Sequence, residues 1–294
     1  MSGKLLSVIV PVKDDKEVFK LLEQTSRYED GRVEVIVVAN GAQSDFVRKI
    51  SGALGSTKPH SLICLPRADI ATARNVGVKV AVGKHILFLD SDCTLPPKYL
   101  ANIVNYLGRK SEFFLGRGPV NFISRSGLFS RLNSIVRTRS YSRHEGACYA
   151  PNLVVSSSVF AKIGGFYEGI GYGVDTEWGR RAELRGYIIE HLPAEFSVCH
   201  IDDSLALKTV RTWFYYGVGR ALREKRNYLL GKCGRLDYIK SLFPGSSLTD
   251  RGDSPVYIGF VALHYLIRTL GVLYGVFVKW RNVDLRFLED AGLT

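Results

Sequence analysis

Two carboxylates one residue apart, Asp90 and Asp92, close a run of buried-type residues, His85-Ile86-Leu87-Phe88-Leu89. Gly83-Lys84 precede that run and Cys93-Thr94-Leu95-Pro96-Pro97 follow it, which predicts a buried strand ending at a turn. Carboxylates gathered at the C-terminal end of such a strand are costly to hold together unless a cation lies between them. A hydrated divalent metal with oxygen ligands answers that need, and a diphosphate is its usual companion. The alternative is an ordinary surface turn. The surroundings of Asp90-Ser91-Asp92 favour the metal.

The elements that must position this triplet alternate in type. Leu5–Val10, Val33–Val38, Leu62–Leu65 and Ile86–Leu89 are predicted strands. Between them, Glu17–Ser26, Phe46–Leu54 and Ile70–Val82 have helical spacing. This order implies an α/β fold, an open and mostly parallel sheet with helices on both faces. Ligands of such sheets bind beyond the carboxyl ends of the strands. Asp14-Asp15, Asn40 and Asp90 to Asp92 all fall at those ends.

Further along, Pro97–Leu107 is a predicted helix, while Phe113–Val120 and Asn152–Ser156 are predicted strands. The Arg- and Ser-rich stretch between those strands reads as loop and short helix. Asp175–Arg185 reads as a helix ended by Gly186, in which Asp175 could serve as the N-terminal cap. Tyr187–Ile189 and Ser197–His200 are the remaining candidate strands. Leu205–Leu230 is a basic amphipathic helix carrying Trp213, Arg220, Arg223, Lys225 and Arg226. Val256–Trp280 is almost long enough to span a bilayer. His264 and Arg268 interrupt it, and one Arg at midspan costs about 2.5–3.5 kcal/mol on insertion scales. His264, Arg268, Gly271, Gly275 and Lys279 form one narrow stripe on that helix. It is a membrane-interface helix, a subunit-contact helix or a buried terminal helix.

The 294 residues are 46% hydrophobic, enough for one sizeable core or a main domain with an appendage, and carry a formal net charge of +12. The positive charge concentrates in segments 109–143 and 208–240, surfaces suited to nucleotides, phosphorylated substrates or anionic lipid. Five widely spaced cysteines without a C-x-x-C favour a reducing compartment over a disulfide framework or structural zinc. The apolar start is interrupted by Pro11, Lys13, Asp14 and Asp15, so a strand is expected there and no cleavable signal. These features together predict a cytoplasmic protein, with a peripheral membrane contact through 256–280 as one option.

Ser7-Val8-Ile9-Val10-Pro11, Val35 to Ala42, Ala73-Arg74-Asn75-Val76-Gly77, Gly83 to Asp92, Gly164-Gly165-Phe166 and Asp175-Thr176-Glu177 occur in that order. In order and spacing the set resembles a family 2 glycosyltransferase of the GT-A fold, over about residues 5–202. The resemblance implies a Rossmann-like, mostly parallel sheet flanked by helices, with a helical C-terminal extension. It implies a catalytic domain over 1–202, with about 1–97 binding a nucleotide-sugar and about 98–202 serving the acceptor and catalysis. Residues 203–294 are the extension. Asp92 would coordinate Mn²⁺ or Mg²⁺ on the donor diphosphate, and Asp90 the ribose or the metal shell. Arg74 and Ser91 would lie near the nucleotide, with Pro11 and Val12 flanking the base. Asp175 matches the general base of inverting members, which react by single displacement. Glu177 would orient the acceptor or a neighbouring side chain. His200 is a third metal ligand or a structural histidine. Arg211 would face the diphosphate and Trp213 the acceptor, unless Trp213 is a core residue of its helix.

Asn40 stands where the family usually has an acid near the donor base, and its amide can still pair with uracil; a UDP-sugar is the favoured donor. Val174 stands where a Glu often precedes the base. A sugar-nucleotide pyrophosphorylase would need a Gly-rich loop after the first strand, and Pro11-Val12-Lys13-Asp14-Asp15 has none. Nucleic-acid binding would explain the charge but not the carboxylates, and no standard motif is present. A non-catalytic scaffold or anion-binding protein would have no use for Asp90, Asp92 and Asp175 together. The acceptor, whether lipid-linked sugar, soluble sugar, peptide or metabolite, is not written in these residues.

Overall fold

A computed structural model describes residues 3–28, 30–54, 60–143, 148–169, 171–203, 205–229, 234–242, 249–250 and 252–277. Two compact units divide the chain, 1–203 and 204–294. Leu230, Cys233, Arg251, Lys279, Trp280 and the side chain of Arg226 lie outside what is described.

The first unit begins with β1 (Leu6–Val12), α1 (Val18–Ser26), β2 (Val33–Asn40), α2 (Ser44–Leu54), β3 (His60–Leu65), α3 (Ile70–Val80) and β4 (His85–Phe88). The order β3-β2-β1-β4 is parallel throughout, with Val8 opposite Val35 and Leu87. Every residue of β1 is buried, as a strand covered on both faces must be. Alternate residues divide between two cores. Val8, Val10, Val35, Val37 and Leu87 face Leu21, Ile50 and, on α4 (Tyr99–Leu107), Ile103. Ile9, Ile36, Val38, Ile86 and Phe88 face Ala73 of α3, together with α6 (Ser157–Ile163) and α7 (Val174–Leu184).

The second half of the unit adds β5 (Cys93–Thr94), β6 (Leu115–Arg117), β7 (Val120–Ile123), α5 (Leu128–Arg143), β8 (Leu153–Ser156), β9 (Glu190–His191) and β10 (Val198–Ile201). The main sheet runs β3-β2-β1-β4-β8-β6-β9, with β8 antiparallel to both neighbours. A small sheet, β5-β10-β7, stands apart. The single strand expected over Phe113–Val120 is therefore two, because Gly118-Pro119 breaks the ladder and sends the chain from one sheet to the other. Tyr187–Ile189 is not a strand. Tyr187 N–H returns to the Ala182 carbonyl and Gly186 has φ +78, so these residues terminate α7. In the Arg- and Ser-rich stretch a loop at 124–127 leads into α5, which at 16 residues is longer than the short helix expected. This helix buries Ser130, Asn133 and Ser134 beside Val136, an inward face too polar for hydrophobic periodicity to reveal.

The second unit holds α8 (Ala206–Leu229), α9 (Arg235–Leu242) and α10 (Pro255–Phe277). A Cβ on Gly271 would stand 1.9 Å from the Phe214 carbonyl oxygen, and one on Gly217 2.0 Å from that of Arg268, so glycine permits the close crossing of α8 and α10.

The loops at the strand ends are tied together. Asp14, at φ +53, accepts the Gln43 N–H at 2.8 Å, joining the turns after β1 and β2. Gly41, after β2, has φ +64, and a Cβ there would lie 2.5 Å from the Ala68 nitrogen. Gly41→Ala should cost about 1–3 kcal/mol in denaturant unfolding, through both the left-handed backbone and the backbone clash.

Candidate active site

β4 ends at Phe88, and Leu89 N–H still bonds to the Ile9 carbonyl, so Asp90 leaves the sheet beside the end of β1. Asp90 Oδ1 accepts from Arg74 Nη2 at 3.0 Å. Arg74 is buried on α3, with its guanidinium 5.6 Å from the centre of the Phe166 ring. Its reach is therefore directed to Asp90. Ser91 donates its hydroxyl to Asp15 at 3.0 Å, which fixes the turn against the loop after β1.

His200 arrives from the small sheet. It pairs with Cys93 across the antiparallel β5–β10 ladder, and Ile201 N–H bonds to the Asp92 carbonyl. His200 Nε2 thereby lies 3.1 Å from Asp92 Oδ1 and 3.6 Å from Asp90 Oδ2. One ligand atom from each of Asp90, Asp92 and His200 lies within 4.8 Å of the others, a group able to hold a metal ion. Burial works to raise the Asp90 carboxyl, but His200 and Arg74 overcome it and hold Asp90 down at about 2. Asp92 is pushed up to about 6 by burial, with the charges of Asp90 and Asp15 adding to the rise and His200 opposing it. The buried Asp92 Oδ1 makes no hydrogen bond among the described residues, and its near neighbour is the His200 imidazole at 3.1 Å. A buried oxygen left so is costly, and a cation relieves it. Two carboxylates and an imidazole fit Mn²⁺ and, through the oxygens, Mg²⁺.

Behind His200 stands a brace with no local sequence signal. The Phe122 ring centre lies 4.8 Å from that of His200, and the Arg137 guanidinium sits 3.9 Å from the other aromatic centre, Phe122 itself. Arg137 also pairs with Asp202 at 3.1 Å, and Asn133 donates to the same carboxylate at 2.7 Å. Lys110 pairs with Glu190, and Arg125 with Glu17 and Asp203. Part of the basic segment is thus neutralised internally rather than offered to an anion.

Asp175 is not the cap of α7. Gly173 takes that position, and Asp175 lies in the first turn. Its Oδ1 accepts the Thr176 N–H at 2.8 Å and its Oδ2 the Ala150 N–H at 3.2 Å. Ala150 begins a short 3-10 turn leading into β8, and Phe88 at the end of β4 pairs with Leu153 just beyond that turn. Cys93 Sγ contacts the Pro151 carbonyl at 3.7 Å. The same turn therefore touches Asp175 and the chain immediately after Asp92.

The remaining expected residues have structural partners. Glu177 has a neighbouring side chain as its partner. It is buried and grips Arg181 through both oxygens at 2.9 and 3.0 Å, while Arg181 donates to the carbonyls of Ile163 and Gly165. Asn75, beside Arg74, exchanges two 2.8 Å bonds with the Phe166 backbone. α7 and α3 are thus fastened to one loop, 163–166. Trp213 takes the core position that its helix allowed, buried in the second unit against Phe260 and His264. Arg211 is exposed on α8 near the Tyr215 ring. Pro11 and Val12 are buried at the end of β1, and Asn40 Oδ1 accepts the Asp69 N–H at 2.8 Å. Asp15, Asp69 and Asn75 join the site's framework without having been assigned a role from sequence; the strand-end position of Asp15 was the available signal.

Residues 7–164, more than half of the chain, match the family described as glycosyl transferase family 2. Among curated proteins, Glycosyltransferase AglE of Haloferax volcanii is 28% identical over 193 residues, 62% of this chain, and the chain spans 62% of that relative's length. Among solved structures, mannosyltransferase PcManGT from Pyrobaculum calidifontis, in complex with GDP-Man and Mn²⁺, is 14% identical with a TM-score of 0.56. That match covers 99% of this chain and 80% of the other. S. aureus TarS 1–349 in complex with UDP-GlcNAc is also 14% identical, with a TM-score of 0.55 over 92% of this chain and 91% of that one. At such identities the likeness concerns the fold, which is GT-A.

Glu177→Ala strands the buried Arg181 charge and should lower unfolding stability by about 3–5 kcal/mol, measured in denaturant. An acceptor ligand would instead leave stability intact and raise only KM.

Proposed function

Because this chain belongs to glycosyl transferase family 2, we propose that it moves a sugar from a nucleoside-diphosphate sugar onto an acceptor hydroxyl, with inversion, using a divalent metal at Asp90, Asp92 and His200. The observation that carries this reading is the buried Asp92 oxygen without a hydrogen bond, beside a carboxylate and an imidazole. The relatives support the donor class: one structural neighbour is a complex with GDP-Man and Mn²⁺, another with UDP-GlcNAc.

In a single displacement, the acceptor oxygen bonds to the anomeric carbon as the bond from that carbon to the diphosphate oxygen breaks. The leaving nucleoside diphosphate takes the electron pair, and the acceptor proton passes to Asp175. Two backbone N–H groups orient that carboxylate, leaving further lone pairs for the proton. When bound, the metal supplies positive charge where the leaving oxygen becomes negative. Arg74 keeps Asp90 ionised and aimed. The brace of Phe122, Arg137 and Asp202 keeps the imidazole of His200 in register with Asp92. Asn40 has committed its oxygen to Asp69, so its amide nitrogen is the group it offers, and a base carbonyl is the complement. Uracil carries two such carbonyls, consistent with a UDP-sugar.

Asp92→Ala should abolish metal-dependent nucleotide binding in calorimetry; unchanged affinity would remove the metal assignment. Asp175→Asn should bind donor as the parent does yet transfer sugar about 10²–10⁴-fold more slowly. Near-parental turnover would rule it out as the base. Mn²⁺ competes with a proton on Asp92, so metal affinity should climb as pH rises through about 6 and then level. A thermal-shift panel of nucleotide-sugars with Mn²⁺ reads out the donor, because a native-state ligand raises the melting temperature.

A further inference from the structure

α10 has two unlike faces. Toward α8 it buries Tyr257, Phe260, Val261, His264, Gly271, Val272 and Gly275. Its two interrupting polar residues, His264 and Arg268, meet each other at 3.4 Å, and His264 packs on Trp213 of α8. The opposite face, with Val256, Leu263, Leu266, Leu270, Leu273 and Phe277, is 40–73% exposed, and no exposed residue of the helix is charged. Folding has thus sorted the helix so that its polar stripe is turned inward and its apolar stripe outward. Such a continuous exposed stripe requires an occupant.

The charge of the surrounding unit selects that occupant. Residues 204–294 hold 14 Lys and Arg against seven Asp and Glu. Exposed apolar and basic side chains lie side by side on the other helices: Leu207 with Lys208 on α8, and Leu236 and Ile239 with Arg235 and Lys240 on α9. A second copy of so basic a unit would repel the first across a shared face. An anionic bilayer complements both features, accepting the leucines among its acyl chains and the cations at its headgroups. Spanning is disfavoured because α10 is crossed closely by α8, whose own charges include Arg223 and Lys225. We propose that the outward face of α10 is a docking surface for an anionic lipid bilayer, on which the helix lies rather than crosses.

The test is flotation of the full chain with vesicles of equal parts phosphatidylglycerol and phosphatidylcholine. The protein should float with them, bind pure phosphatidylcholine vesicles at least about tenfold more weakly, and be released by alkaline carbonate. Leu266→Asp combined with Leu270→Asp should abolish flotation while far-UV circular dichroism and nucleotide binding stay as in the parent. Should that variant fail to fold, Arg235→Glu with Lys240→Glu provides the second reading, weakening binding to the anionic vesicles alone. Wild-type protein that ignores both vesicles overturns the proposal, as does flotation undiminished by the substitutions. Resistance to carbonate would mean a span, and a concentration-dependent dimer abolished by the Leu266 and Leu270 changes would make this face a self-contact; either result also overturns it.

Discussion

Negative charge packed at the end of a buried strand is the constraint around which the first unit is organised. Asp90 and Asp92 extend from the same turn, with Asp15 close enough to add its own field. Two devices offset the resulting repulsion. Arg74 is buried so that its charge is spent on Asp90. His200 is carried in on a separate small sheet to touch both carboxylates. Asp92 Oδ1, the atom that faces His200 at 3.1 Å, makes no hydrogen bond among the described residues. Remote packing then follows from keeping these groups in place: α3 must present Arg74, so Asn75 beside it is fastened to the 163–166 loop, and that loop is in turn held by α7.

This linkage gives the sequence motifs a mechanical sense. The Ala-Arg-Asn segment and Gly164-Gly165-Phe166 lie some ninety residues apart, yet they are two halves of one joint. A Cβ on Gly165 would stand 2.8 Å from the Asn75 side-chain oxygen. Asp175 and Glu177 share one helical turn but divide the labour. One carboxylate is held by backbone amides at the edge of the site, while the other is buried to anchor the helix that carries it.

What could be read from sequence depended on how each part encodes itself. β1, β2 and β4 are continuous apolar runs, and their alternation with amphipathic helices fixed the α/β architecture and the strand-end location of the carboxylates. α5 escaped because its buried face is serine and asparagine, residues whose burial depends on partners distant in sequence. Apolar periodicity merges β6 and β7 into one strand because it does not register a change of sheet, which only Gly118-Pro119 marks. Linear sequence leaves Glu177 open between the acceptor and a neighbouring side chain, and Trp213 between the acceptor and its helix core, because the partners that bury them, Arg181 and α10, are not marked in the local pattern. The brace behind His200 joins residues 122, 133, 137 and 202, a grouping that no linear pattern contains.

The arrival of His200 through β10 has one more consequence. Its position is set by two ladders, two residue pairs with β5 (Cys199 with Thr94 and His200 with Cys93) and four with β7, where His200 stands opposite Phe122. A slip by one residue would present Cys199 or Ile201 in its place, and would turn the imidazole to the opposite side of the small sheet. The placement of His200 beside Asp92 is therefore encoded as much by strand register as by the histidine itself. A one-residue shift of this register would separate Asp90, Asp92 and His200 while leaving all three in the chain, so an inventory of side chains alone does not establish the cluster.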